Sequence, residues 1–294
     1  MKHVLLFAWL LLATGCTFNY RESYLVSAQP EPPPELDALC AAFPLHAFEE
    51  SRIEVEGASL YSLAMIRPDA RATVLYFGGN GYRIGRWARF SAAAYADLPV
   101  NLVLVDHRGY GASTGEPGIQ LLMDDALRVH DHVAGDPARH GLPLIVHGQS
   151  LGSFMAGRVA AERRLDGLVL ESSATTTEDW VAYQRTQLPW WQRMWVRRIR
   201  VDGSLARQGN LQVAVGLDEP VLYVVGEADG ATPPDFSRRL YAATPLPEEC
   251  RRLQVVPERG HNDATRSEAF REAMAGFVDS VVAAGKRRCA GASG

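Results

Sequence analysis

From residue 73 onward, short unbroken apolar runs alternate with longer stretches in which apolar positions recur every three or four residues. The runs 73–77, 100–105, 143–147, 168–171, 221–225 and 253–256 are rich in Val, Leu and Ile. Runs this short and this apolar predict strands buried on both faces. The stretches 84–97, 120–134, 151–164, 235–243 and 266–284 have the period of helices that cover a core on one side. Strand–helix alternation of this kind predicts an α/β fold: a mostly parallel central sheet with helices on both faces. Upstream, 52–56 and 60–66 alternate apolar with polar positions, which predicts a pair of strands near a sheet edge.

One stretch breaks the rhythm. Between Ser172 and Gly216 no strand is evident, yet Trp180, Tyr183, Trp190, Trp191 and Trp195 are concentrated there. Pro189 should divide this piece into two short helices, because proline cannot continue one. The residues at about 173–216 are therefore expected to be a small helical cap inserted after the strand at 168–171. Its rings either pack the cap onto the domain or form an apolar lid over a pocket, and packing is the commoner use of such rings. Arg193, Arg197, Arg198 and Arg200 are expected on a solvated helix face, with an anionic headgroup as the alternative partner.

Charge and cysteine usage narrow the classes open to the chain. Its 294 residues carry a formal net charge of -4, so nothing electrostatic favours a nucleic-acid partner. No cysteine stands in C-x-x-C spacing, and no metal is expected. Three thiols, Cys40, Cys250 and Cys289, remain for any disulfide, and spacing does not choose among them. The start of the chain is different in kind. Lys2 precedes an apolar run at 4–13, too short to span a bilayer but suited to a signal peptide. The segment Leu12-Ala13-Thr14-Gly15-Cys16 resembles a bacterial lipobox. That resemblance implies a signal peptide over 1–16, lipidation at Cys16, and a membrane anchor in the cell envelope. Thr17 in place of an aspartate favours the outer membrane, facing the periplasm. Residues 17–35 contain Gln29-Pro30-Glu31-Pro32-Pro33-Pro34 and are expected to be a stiff linker. The main domain is then expected over 36–285, followed by a tail at 286–294.

The pattern G-x-S-x-G occurs twice. Gly111-Ala112-Ser113-Thr114-Gly115 lies among loop residues, whereas Gly148-Gln149-Ser150-Leu151-Gly152 stands directly between a predicted strand and a predicted helix. Strand, tight turn and helix are the setting of a nucleophile elbow, in which a strained turn projects a serine hydroxyl. The alternative is a serine that merely caps a helix. A serine hydroxyl needs a base. Among eight histidines, His261 in Gly260-His261-Asn262-Asp263 follows a predicted strand and precedes the last helix, so it should reach the carboxyl edge of the sheet. His147 is expected to pack, and His46, His130, His132 and His140 are expected at the surface. The imidazole in turn needs a carboxylate, and Asp229 leaves the strand at 221–225; Glu227 and Asp235 are its competitors.

These residues, with Leu75-Tyr76-Phe77-Gly78-Gly79-Asn80-Gly81 and Asp106-His107-Arg108-Gly109-Tyr110-Gly111, resemble the α/β-hydrolase superfamily, and within it the lysophospholipase-like and serine-aminopeptidase-like hydrolases. The resemblance covers about residues 52–284. It implies catalysis by Ser150, Asp229 and His261 and an oxyanion hole formed by the backbone N–H groups of Asn80 and Leu151. Gly78 stands where the family commonly has histidine, which leaves open what braces that loop. The Asp106 loop is expected to be structural, with Arg108 paired to a carboxylate. The expected reaction is acyl transfer to serine followed by hydrolysis, without a cofactor, on a small-molecule or lipid-like ester. A peptidase or amidase of the same fold, and a non-catalytic envelope binding protein, are the alternatives.

Overall fold

The computed structural model describes residues 16–139, 141–285 and Cys289. The leader expected before Cys16, His140, and the tail apart from Cys289 lie outside the described residues. Eight strands form the central sheet: β3 (Ala47–Val55), β4 (Ala58–Ile66), β5 (Ala72–Phe77), β6 (Val100–Val105), β8 (Leu144–Gln149), β9 (Gly167–Glu171), β11 (Val221–Gly226) and β12 (Arg251–Val256). Their spatial order is β12-β11-β9-β8-β5-β6-β4-β3. All neighbours run parallel except β4, which is antiparallel to both β6 and β3. The two alternating segments at the start of the domain are thus the edge hairpin that their pattern predicts.

Every residue of β5, β6, β8, β9 and β11 is buried, as expected of strands covered on both sides. Alternate side chains feed two apolar layers. Leu75, Val103, Val146 and Leu168 point into one, and Val74, Leu102, Ile145 and Val169 into the other. The helices Ile119–Ala134, Leu151–Glu162 and Pro234–Ala243 cover the first layer, and Ile84–Tyr95 and Glu268–Ala284 the second. After β5 the chain continues to β6 on one side, then crosses back to β8 on the other. Strand order therefore reverses between β5 and β8, and a crevice opens at their carboxyl ends.

The stretch 17–35 differs from the expected spacer. β1 (Cys16–Tyr20) pairs in parallel with β10 (Val196–Val201), Val26 is buried, and β2 (Gln29–Pro30) pairs with β7 (Tyr110–Gly111). The prolines do not prevent this. The N–H groups of Gln29 and Glu31 donate to the carbonyls of Gly109 and Gly111 at 2.8 and 2.9 Å, while Pro30 between them takes the position where no donor is required. Glu31 also pairs with Arg83. Backbone pairing and the burial of Val26 hold the segment against the domain.

The insertion folds as the helices Thr177–Gln187, Trp190–Trp195, Gly203–Ala206 and Leu211–Gly216, with β10 among them. Pro189 separates the first two, as expected. Arg193 is exposed on the helix Trp190–Trp195, as expected, but Arg197, Arg198 and Arg200 belong to the strand β10 and not to a helix, because β1 supplies a pairing partner from the other end of the chain. Asn210 anchors the far end of the cap: its Nδ2 donates to the Ser153 carbonyl at 2.9 Å and to Ser173 Oγ at 2.8 Å.

Candidate active site

The turn after β8 runs straight into the helix Leu151–Glu162 with Ser150 at the junction, φ 53° and ψ -115°. Non-glycine residues rarely adopt such a conformation, and it persists only where the surroundings impose it. Here the Ser150 N–H donates to the Glu171 carbonyl at 2.9 Å, and the Ser150 carbonyl accepts from the Ser153 N–H at 2.9 Å. The flanking glycines allow the close approach. A Cβ on Gly148 would sit 2.2 Å from the Gly152 carbonyl oxygen, and one on Gly152 would sit 2.0 Å from that of Phe77. The second distance shows that Gly152 makes room for the end of β5 as well as for the turn.

Three side chains from separate loops meet at this turn. Ser150 Oγ lies 2.8 Å from His261 Nε2, and His261 Nδ1 lies 2.9 and 3.0 Å from the two carboxylate oxygens of Asp229. With the Nδ1 proton directed at Asp229, the Nε2 lone pair is free to accept the hydroxyl proton. The Asp229 side chain is fully buried, and its competitors are not: Glu227 and Asp235 are exposed. Burial acts to raise the Asp229 pKa, but the bond from His261, its charge and the N–H of Thr232 outweigh it and hold the carboxyl below its ordinary value. The N–H groups of Ala231 and Thr232 donate to Oδ1 at 2.9 and 2.8 Å. Thr232 Oγ1 lies 2.9 Å from Oδ2 and 2.9 Å from the Ser172 carbonyl. Its part could not be anticipated from the motif, where it reads only as a turn residue before Pro233.

Asn80 and Leu151 line one cavity of about 70 Å³ together with Ser150, Phe154, Trp180 and Thr232. Among the described residues no acceptor engages the backbone N–H of either Asn80 or Leu151. Leu151 is the first residue of its helix, so its N–H is one of those a helix leaves unsatisfied. The brace that Gly78 leaves open comes from the neighbouring loop. His107, buried and with its pKa lowered by that burial, sets Nε2 2.7 Å from the Gly78 carbonyl. As a neutral ring it can donate from Nε2. Asp106 accepts from the N–H groups of Ile84 and Ala112 at 2.7 and 2.9 Å. Arg108 makes a buried two-pronged pair with Asp125 at 2.8 and 2.7 Å. Ser113, the serine of the second G-x-S-x-G, is buried and donates to the Asp106 carbonyl at 2.7 Å, a loop role.

Of the other histidines, His147 is fully buried beside Tyr95, Tyr76 and Phe270, in keeping with packing. His130 is buried, contrary to the surface position expected of it, because its turn of helix Ile119–Ala134 faces the core. His46 is half-buried and His132 exposed. Among the described residues no cluster of three or more His, Cys, Asp or Glu side chains could hold a metal ion.

The cap closes one side of the cavity through Thr177, Trp180 and Leu205, and Leu25 of the N-terminal segment forms part of the same wall. Tyr183 Oη and Gln184 Nε2 donate to the carbonyls of Gly230 and Ala231, each at 3.2 Å, tying the cap to the loop that carries Asp229.

An eight-stranded sheet with one antiparallel strand and a strand–serine–helix turn at its switch point define the class: the chain has the α/β-hydrolase fold. Residues 68–212 match the serine aminopeptidase family S33. The chain is similar to the protein bem46 of Schizosaccharomyces pombe, 25% identical over 284 residues, with 91% of this chain and 89% of that protein covered. An uncharacterized protein of Mycobacterium tuberculosis is 33% identical over 194 residues, covering 65% of this chain and 63% of its own. Among solved structures, an esterase of Pyrococcus furiosus superposes with a TM-score of 0.62 at 17% identity, covering 82% of this chain and 94% of its own, a likeness of fold.

Proposed function

We propose that the protein is a serine hydrolase that cleaves carboxylic esters through an acyl-serine intermediate, exported and held at a membrane by lipidated Cys16. The observation that carries the reading is the line from Ser150 Oγ through His261 to the buried Asp229 carboxylate, with contacts of 2.8 and 2.9 Å. In this mechanism Ser150 Oγ attacks the ester carbonyl carbon while its proton passes to His261 Nε2. The carbonyl oxygen becomes an oxyanion held by the N–H groups of Asn80 and Leu151, donors that need no reorientation as charge develops. Collapse expels the alcohol, which takes the proton from His261. Water then attacks the acyl-serine with His261 again as base, releasing the acid and restoring the hydroxyl.

An apolar acyl group suits a cavity walled by Leu25, Leu151, Phe154, Trp180 and Leu205. The esterase of Pyrococcus furiosus with the same fold is in keeping with ester chemistry. The serine aminopeptidase description of the matched family favours amide substrates as the second reading. A panel of p-nitrophenyl esters against aminoacyl arylamides separates the two. For the shared serine mechanism, a fluorophosphonate probe should label the wild type and spare Ser150→Ala, whose kcat should fall by a factor on the order of 10⁶. Equal labelling of both proteins would refute the assignment.

A further inference from the structure

The rings expected to pack the cap do not all do so. Trp190, Trp191, Met194 and Trp195 are 68%, 51%, 60% and 51% exposed, and Phe18 on the adjoining strand is 45% exposed. Exposed apolar side chains are ordinary when scattered, but these five belong to one helix and the strand pair beside it. Phe18, Trp191 and Trp195 also line an apolar groove of about 520 Å³, together with Tyr20, Trp180, Leu188 and Ile199. Trp180 also lines the cavity at Ser150, so groove and cavity are neighbours separated by one ring. Arg193, Arg198 and Arg200 are exposed on the same helix and strand.

The geometry points to this aromatic face as the surface by which the protein docks on an anionic phospholipid bilayer, with the groove carrying a lipid acyl chain towards Ser150. Two observations choose a bilayer as the occupant. Tryptophan with arginine is the composition of surfaces that lie at the membrane–water interface, where rings sit among headgroups and guanidinium groups meet phosphate. The second is where the chain outside the described residues joins the fold. Its apolar run at 4–13 leads to Cys16, and Cys16 pairs in register with Val196, next to Trp195. Whatever holds Cys16 to a membrane brings this face to that membrane too. The acyl-chain route rests on the hydrolase reading; docking does not.

The docking test uses the full chain carrying Ser150→Ala on phosphatidylglycerol vesicles whose acyl chains carry bromine, a short-range quencher of indole emission. Docking predicts loss of most tryptophan emission relative to unbrominated vesicles, and protection of the remainder from iodide in the water. Trp190→Phe, Trp191→Phe and Trp195→Phe together should remove most of the bromine effect, leaving the share of Trp180 in the groove wall. Emission that iodide quenches and bromine does not would overturn docking. So would bromine quenching that the triple substitution leaves undiminished, since its source would lie elsewhere. Shielding from iodide without vesicles, with a doubled mass by light scattering, would assign the face to a second copy of the chain instead. For the route, Trp190→Ser with Met194→Ser should lower turnover of a long-chain ester presented in vesicles several-fold and leave that of a soluble short-chain ester unchanged; equal loss on both would overturn it. Failure of the fluorophosphonate labelling would remove the hydrolase reading and leave the quenching result intact.

Discussion

A serine hydroxyl is activated only while its neighbour can take a proton, and Asp229 determines which ring nitrogen of His261 is free to do so. Asparagine at 229 would keep the shape and still accept from Ala231 and Thr232, but would turn an N–H towards His261 Nδ1. The ring would then carry its proton on Nε2, facing Ser150, and could not act as base. Asp229→Asn should therefore lower kcat by about 10⁴ with the fold intact, measured by steady-state kinetics beside a thermal melt. Another buried acid acts on stability. Burial and the neighbouring Asp218 raise the Glu219 pKa to about 7, from an ordinary value of 4.5. The folded protein thus holds this proton where the unfolded chain releases it. Its stabilising contribution is complete below the ordinary value and is lost as pH rises towards 7. Glu219→Gln should flatten that decline, read as the urea midpoint at successive pH values; an unchanged slope would refute the role.

At the scale of elements, the site is a meeting of loops, each kept in place by its neighbour. The loop after β6 braces the one after β5 through His107 and Gly78, and is itself fixed by Arg108 on Asp125 of helix Ile119–Ala134. These two side chains are only 5% and 8% exposed. Removing one partner strands a buried charge, which typically costs about 3–5 kcal/mol, much more than a surface pair. Arg108→Ala should lower stability by that order in urea unfolding. It should also reduce turnover, because the Asn80 N–H rides on the braced loop. The cap is fastened in the same manner to the loop that carries Asp229, by Tyr183 and Gln184.

The whole molecule is closed by contacts far apart in sequence. Cys250, just before β12, is joined to Cys289 beyond the last helix, across a separation of 39 residues. Closing a loop of that size removes unfolded-state entropy worth about 4 kcal/mol in the simple chain model. Cys250→Ser should therefore lower the denaturation midpoint under non-reducing conditions, and a reductant should bring the wild type down to meet it. A structural disulfide persists in an oxidising compartment and is reduced in a cytosolic one. At the opposite end, residues 16–31 run from the cap to β7 and supply Leu25 to the cavity wall. The cavity at Ser150 is thus shared by the domain, its insertion and the segment that precedes it.

What could be read along the chain was whatever is written in short-range pattern. Buried parallel strands need unbroken apolar runs, so β6 and β11 begin at the residues their runs predict. A serine elbow needs two glycines at fixed spacing, so Ser150 stands out in the sequence alone. Asp229 and His261 were legible because each follows a strand whose carboxyl end must face the same crevice. Long-range pairing left no such trace. The stretch 196–201 reads as an arginine-rich helix face until β1 is laid beside it, and the proline-rich 29–34 reads as a spacer until β7 offers it carbonyl groups. The same holds for Thr232, His107 and the partner of Cys250. Their roles are set by distance in space, which no local periodicity records, because the free energy that fixes them is gained only when remote segments come together.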